Sequence, residues 1–410
     1  MISDSIHRLG VEFLQDPHTV YRRLNDEGPL HRVEFANGMQ AWLVTGYDLA
    51  KEALLDERLS KDIYGPSGDA TQAAGKFLPR LDPPVNKHLL YADPPRHTRL
   101  RKIAMKALSG RAVNDFTPRL RAIADELLDR AVVHETVDLL GAYAYPFAVT
   151  AICELIGISA AGRAEHQEWL DIQVSTASAD EKNAAAAKFD AYVRRLIADR
   201  AGGGADLISE LMVPDADGDR LDDGEIVAMV NALLLGSQET TAGLIGNAVL
   251  ELVRRPGFAA ELGADPALLT AFIEETLRFE GSGNIATYRL ATEPIQWGGR
   301  TVDTGDIVLV GVAGANRDVA RFDTPDELDL DRPDKAHLSF GYGIHRCAGA
   351  ALARKEAFIA LSALIERYPG IALADDAADL RWKSSLITRG LVALPVRLGT
   401  TESGSASTKG

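Results

Sequence analysis

Late in a chain of 410 residues stands FGYGIHRCAG, Phe340 to Gly349, which holds one of only two cysteines. Gly341, Gly343 and Gly349 let the backbone turn tightly around Cys347 and lie close to a flat ligand. An Ala/Leu-rich run, AGAALARKEAFIALSALIERY, follows at once and reads as a helix. The thiol therefore falls at a helix start, where unpaired N–H groups and the macrodipole favour a thiolate. His345 and Arg346 add positive charge or hydrogen-bond donors. One thiolate offered from a glycine-bounded loop suits an axial iron ligand, and thiolate ligation of haem iron favours O–O cleavage. The other cysteine, Cys153, lies within apolar TAICELIG and reads as a buried hydrophobe.

A second polar cluster interrupts the longest apolar stretch, IVAMVNALLLGSQETTAGLIGNAVLELV, from Ile226 to Val253. Its length would span a bilayer, but Ser237, Gln238, Glu239, Thr240 and Thr241 occupy its centre. A carboxylate at a bilayer midplane costs about 3 kcal/mol, so this is a core helix with a polar patch in its middle. Asp222 and Glu225 form a capping-box pattern that opens it.

The elements that must position these residues are mostly helical. HTVYRRLNDEG is a helix ending at Gly28, and RVEFANGMQAWLVTG reads as two strands around Asn37-Gly38. From Pro94 to about Ala201 apolar residues recur at helical spacing; a further helix covers about Pro266 to Phe279. IQWGGRTV reads as a hairpin and DIVLVGVA as a buried strand. The segment from Tyr64 to Pro84 is expected to be a loop, of a length often seen in binding lids. The expectation is one large domain over residues 1–400, mainly α with a small β-rich part, and a disordered tail over 401–410.

Composition narrows the function. Hydrophobic residues make up 46% and charged residues 25%, as in soluble globular proteins, and the formal net charge is −15. That acidity argues against nucleic acid or an anionic membrane as partner. Two cysteines without a CxxC pair exclude a disulfide framework or a cysteine-based zinc site. The N-terminal MISDSIHRLGVEF is acidic and lacks the basic flank and apolar stretch of a signal peptide, so a cytoplasmic location is expected.

Phe340-x-x-Gly343-x-x-x-Cys347-x-Gly349 resembles the haem-ligand signature of the cytochrome P-450 family at every fixed position. The resemblance extends from ADPPRHTRLR to the end of the helix after Cys347 and is weakest in the first 60 residues. It implies the cytochrome P-450 fold, haem b (iron protoporphyrin IX) as cofactor, and Cys347 as the metal ligand. Phe340, Gly341 and Gly349 belong to the cofactor loop, and His97, Arg101, Arg289 and His345 match the positions that hold the haem propionates. Glu275 and Arg278, with Arg332, resemble the family's buried charge network behind the ligand loop. GSQETT resembles the oxygen-side kernel, with Glu239 and Thr240 as the acid–alcohol pair that manages protons. There the Thr240 hydroxyl would bond back to Gly236 and bend the helix.

Two departures stand out. Ser237 replaces the kernel's usual glycine, and Ser282 stands where bacterial relatives usually carry proline, which would loosen the backbone there. Gly236, Ser237, Asn284 and Ile285 are the candidate substrate contacts.

No flavin, nicotinamide or iron–sulfur fingerprint is present, so electrons must come from outside. Arg99, Arg101, Lys102, Lys106, Arg111, Arg346 and Arg354 cluster near the segments that the family places on the proximal face, a patch suited to an acidic ferredoxin with its reductase. The expected activity is O2-dependent hydroxylation or epoxidation of a mostly apolar small molecule, and the text looks most like members that tailor macrolides and other polyketides. Desaturation, oxidative coupling, or hydroxylation of a carrier-bound amino acid are alternatives within the fold. A haem sensor or electron carrier is the rival outside catalysis; an enzyme with a Cys347 nucleophile would lack a motif for its base.

Overall fold

The computed structural model describes residues 6–62, 81–82, 85, 87–131, 136–175, 177–374 and 379–399. Most of the loop expected over Tyr64–Pro84, and the tail over 401–410, lie outside the described residues.

The centre is the helix Asp223–Val253, opened by the capping box that its sequence announces. Asp222 Oδ1 accepts from Glu225 N at 2.8 Å, while Glu225 Oε2 accepts from Asp222 N at 3.1 Å. A cap of this kind contributes about 1 kcal/mol. The first half of the helix, Ile226 to Leu234, belongs to a buried cluster with Leu100, Ile103, Phe189 and Val193. The second half, Ala242 to Leu252, belongs to another, with Leu128, Phe147, Phe272 and Leu361. The polar stretch 236–241 falls at the seam between the two. Protein covers the helix on its apolar sides, which is why hydrophobic residues surround it. No single helix among the described residues is long and apolar enough to cross a membrane.

Three helices pack on the core helix, Tyr145–Ile156, Pro266–Glu280 and Ala350–Arg367, and Gly110–Ala131 packs outside them on the first and the last. Ala179–Ala198 packs on the core helix, and Arg96–Ala107 shares the buried cluster of its first half.

The strands in chain order are β1 (His7–Leu9), β2 (Leu30–Phe35), β3 (Gln40–Val44), β4 (Leu59–Ser60), β5 (Thr136–Asp138), β6 (Arg289–Ala291), β7 (Ile295–Trp297), β8 (Arg300–Val302), β9 (Ile307–Val310), β10 (Ala372–Leu373) and β11 (Pro395–Arg397). One sheet runs β1-β2-β3-β9-β6-β4, a second β10-β11-β5, and β7 pairs with β8. The β2–β3 turn uses Gly38 at φ 81°, and the β7–β8 turn uses Gly298 and Gly299 at φ 56° and 78°, both left-handed positions that glycine adopts without strain. β9 is buried throughout and pairs with β3 through Trp42↔Val308. β5 interrupts a run that reads as helix. Its pairing with β11 lies at the far end of the chain, where local periodicity carries no signal.

Candidate active site

Two left-handed glycines, Gly341 (φ 69°) and Gly343 (φ 72°), turn the loop that carries Cys347. Cys347 N donates to Phe340 O at 2.7 Å and closes it. A Cβ on Gly343 would lie 3.0 Å from Leu55 Cδ2 and 3.1 Å from Leu54 O, so the turn is also a close contact. Gly349 has an ordinary φ of −86°, is the N-cap of the helix Ala350–Arg367, and directs its N–H at the Cys347 sulfur. Cys347 is open to solvent on one side, with protein around the rest of the sulfur. That desolvation pushes the thiol up, against the pull of Gly349 N–H, Arg101, Arg346 and Arg354. The helix start and the cations pull towards the thiolate, and burial outweighs them. A coordinated metal ion would make the thiolate, because a metal-bound thiol is deprotonated outright.

Behind the loop, Glu275 accepts from Arg278 Nη2 at 2.7 Å and Nε at 2.9 Å, and from Arg332 Nε at 3.2 Å. All three residues are buried. Their remaining N–H groups reach backbone oxygens of Asn316, Pro325 and Glu327 from Arg278, and of Asp323, Thr324 and Glu327 from Arg332. Buried ion pairs survive where spare donors are satisfied in this way. Next to them, Glu274 grips Arg354 of the following helix at 2.5 and 2.9 Å and meets His337 at 3.3 Å. Burial raises the Glu274 carboxyl, but these bonds outweigh it and hold it down at about 2. One helix, Pro266–Glu280, thus fixes both flanks of the cysteine loop.

On the core helix, Thr240 Oγ1 donates to Gly236 O at 2.5 Å, as its position predicts, and the helix continues unbroken past it. Gly236 is exposed, and a Cβ there would meet nothing within 4 Å. Ser237 turns its hydroxyl back to Leu234 O at 3.4 Å. Glu239 accepts from Tyr145 Oη, from Lys383 Nζ at 3.0 Å and from Thr388 Oγ1 at 3.3 Å. Burial raises its carboxyl, yet the Tyr145 and Lys383 bonds carry the balance below the usual range. One residue on, Thr241 Oγ1 donates to Glu356 Oε2 at 3.1 Å. Glu356 is wholly buried, and burial pushes it up to about 8 against that single bond.

A group of cations gathers near the loop. His97 is 2% exposed, and neither of its ring nitrogens has a partner among the described residues. Its ring centroid stands 4.2 Å from that of His345, whose Nδ1 is also partnerless. Arg101 is half-buried; Arg289 is buried and gives Nη1 to Thr287 O at 3.1 Å. Lys61, buried, reaches Thr287 Oγ1 at 2.5 Å and Tyr288 O at 2.8 Å. The nearby carboxylate of Asp93 is spent on Lys61 N at 2.9 Å and Ser60 Oγ at 2.5 Å. Burial, with little counter-charge, draws Arg289 down to about 10 and Lys61 well below its usual range. His345 falls to about 2, from burial first and then from His97, Lys61, Arg289 and Arg101. Uncompensated buried charge on this scale is costly unless an anion completes it.

Comparison with known proteins decides the family. A family model described as Cytochrome P-450 matches residues 194–376. Cytochrome P-450 107B1 of Saccharopolyspora erythraea is 42% identical over 94% of this chain and 96% of its own. The chain is a cytochrome P-450.

Mycinamicin IV hydroxylase/epoxidase of Micromonospora griseorubida is 36% identical, over 92% of this chain and 94% of that protein. The solved structure of the Bacillus subtilis bacillaene polyketide synthase cytochrome P-450 PksS superposes with a TM-score of 0.86 at 32% identity, covering 95% of this chain and 98% of that one. This cytochrome P-450 is a haem-dependent monooxygenase that uses O2, a redox partner and an apolar substrate. The residues present fit haem b. A lone sulfur stands at the loop, and partnerless imidazoles with buried cations suit two carboxylates.

Several expectations are corrected by the geometry. Ser282 does not loosen its segment: Arg389 N→Ser282 O, Asn284 N→Ile387 O, Ala313 N→Asn284 O and Ala286 N→Val310 O, all at 2.8 to 3.1 Å, pin the backbone. Ile285 lies in a buried cluster with Phe13, Tyr21 and Leu309, so packing accounts for it. Asn284 is buried too, with Oδ1 partnerless among the described residues. Of the seven cations in the proximal patch, Arg99 is spent on Asp219 and Glu225, Lys102 on Asp215 and Asp217, and Arg354 on Glu274. Sequence reasoning missed Lys61, Tyr145, Lys383 and Glu356, because each acts across elements distant in the chain. Only Glu356 gave a signal, a carboxylate within an otherwise Ala/Leu-rich helix face.

Glu356 yields a stability prediction. Its folded value of about 8 exceeds an unfolded carboxyl's, so its contribution is complete at low pH and is lost as pH rises through about 8. Thermal midpoints of the Glu356→Gln protein should fall less between pH 5 and about pH 9 than those of the parent; parallel curves would refute this placement.

Proposed function

We propose that Cys347 is the axial ligand of haem iron and that His97, Arg101, Arg289 and His345, joined by Lys61, hold the propionates. The observation that carries this is the convergence of partnerless imidazoles and buried cations beside the one glycine-turned thiol loop. Phe340, Gly341 and Gly349 shape that loop against the ring, and Glu275, Arg278 and Arg332 brace it. Residues 1–400 act as one unit.

Thiolate-bound haem supplies O2 activation and insertion of one oxygen atom into the substrate. The chain's own part is to deliver protons and exclude loose water. Thr240 Oγ1, anchored on Gly236 O, presents lone pairs on the open side of the core helix beside Gly236. Glu239 is ionised at neutral pH and held by Tyr145, Lys383 and Thr388, so it can accept a proton from water and pass it on when the clasp rotates. Gly236, Ser237 and Asn284 remain the candidate substrate contacts. The substrate is a mostly apolar small molecule of the polyketide or macrolide kind, and the product an alcohol or epoxide. The mycinamicin IV hydroxylase/epoxidase and the bacillaene polyketide synthase protein PksS support this class.

Electrons come from a ferredoxin with its reductase. Lys106 and Arg346 are exposed and have no acid partner among the described residues, and Arg111 has only a loose pair with Asp115 at 3.6 Å. This smaller patch is the docking face.

With Thr240→Ala, product formed per NAD(P)H consumed should fall several-fold while haem content holds; an unchanged ratio would remove Thr240 from proton delivery. Raising ionic strength should slow the first electron transfer from an acidic ferredoxin, and Lys106→Glu should slow it at low salt. A rate indifferent to both would rule out electrostatic docking at this face.

A further inference from the structure

Far along the six-stranded sheet from the cysteine loop, three metal-ligating side chains meet: His7 on β1, Glu27 at the end of the helix Pro17–Glu27, and His31 on β2. One ligating atom from each lies within 4.8 Å of those of the other two. Nothing in the haem chemistry uses them.

The tautomer of His31 is set by its surroundings. Gly28, at φ 141°, turns the chain from the helix into β2 and leaves its carbonyl facing back. His31 Nε2 donates to that oxygen at 2.7 Å. Nε2 is therefore the donor, and Nδ1 carries the ring's free lone pair. His31 is 0% exposed, and Nδ1 has no partner among the described residues. A ring fixed by a backbone carbonyl on one nitrogen and bare on the other is the arrangement by which proteins orient metal-binding histidines.

The other two side chains complete a set. His7 Nε2 stands 3.5 Å from Glu27 Oε2, close to the separation of about 3.3 Å between ligands placed about 2.0 Å from a tetrahedral ion. The His7 and His31 rings cross edge to face with centroids 5.3 Å apart. His7 and Glu27 are partly exposed, 17% and 50% by side chain, so they can move to complete the set and admit both ion and water. Two imidazoles and one carboxylate exclude calcium and magnesium, which want oxygen alone, and suit zinc.

We propose that His7, Glu27 and His31 form a zinc-binding site, with water as fourth ligand, that fastens the N-terminal edge strand to the sheet. β1 is only three residues long and pairs on one side only, through His7↔Val33, Arg8↔Glu34 and Leu9↔Phe35. A metal link from its first residue to both the helix end and β2 supplies what so short an edge strand lacks. The role is structural; no bond in the substrate is made or broken there.

The test uses holoenzyme stripped with a chelator, loaded with zinc chloride, gel-filtered and assayed for zinc per iron by mass spectrometry. The parent should retain one zinc per haem, and zinc should raise its thermal midpoint. His7→Ala and His31→Ala should each weaken retention by at least about tenfold, since loss of a mere second-shell partner costs about 10–100-fold. Both should abolish the zinc-dependent rise in midpoint with the carbon monoxide spectrum unaltered. Glu34→Gln, an acid on the same strand outside the set, should retain zinc. If His31→Ala fails to fold, the partly exposed His7→Ala decides alone. A parent that keeps no zinc, or variants that keep as much as the parent, would overturn the proposal.

Discussion

A sulfur atom that must bind a metal has to be displayed at one point, in a loop that cannot relax around it. The surroundings of Cys347 fit that constraint, as the proposed iron ligand requires. Two left-handed glycines make the turn, and the Cys347 N–H to Phe340 O bond closes it. The helix Pro266–Glu280 then holds both sides, through Glu275 with Arg278 and Arg332 before the loop and through Glu274 with Arg354 after it. Desolvation pushes the thiol up, and a metal ion bound there would deprotonate it. The cation group at His97, His345, Arg101, Arg289 and Lys61 is incomplete without an anion. Haem b, held as proposed, would supply both the cation at sulfur and the carboxylates at the imidazoles.

The same economy governs the core helix. Its polar residues fall where two apolar clusters meet, so they interrupt neither. Two carboxyls flank this seam and are driven in opposite directions. Glu239, clasped by Tyr145 and Lys383, is held below its usual range; Glu356, buried against Thr241 alone, is lifted to about 8. The first environment favours the ionised carboxylate and the second the neutral acid.

What was legible in the sequence is what acts locally. The Cys347 loop, the capping box at Asp222, the Thr240 back-bond to Gly236, and the hairpin at Gly298-Gly299 are each decided within a few residues. The Glu275–Arg278–Arg332 network was legible through its spacing and its resemblance to the family. Contacts made by folding were not. Lys61 and Lys383 look like surface lysines in a string of letters, and β5 looks like the end of a helix until β11 arrives beside it. The proximal cations misled in the opposite sense. Counted by type they form a patch, but acids on a turn at Asp215–Asp219, with Glu225 and Glu274, take up three of them.

The central claim is that the sulfur of Cys347, and no other protein atom, binds the haem iron. Purified protein reduced under carbon monoxide should show the strongly red-shifted Soret band of thiolate-bound ferrous haem, and Cys347→Ala should lose that band even where some haem is retained. A parent protein that binds haem but lacks the shifted band, or a Cys347→Ala protein that keeps it, would contradict the claim.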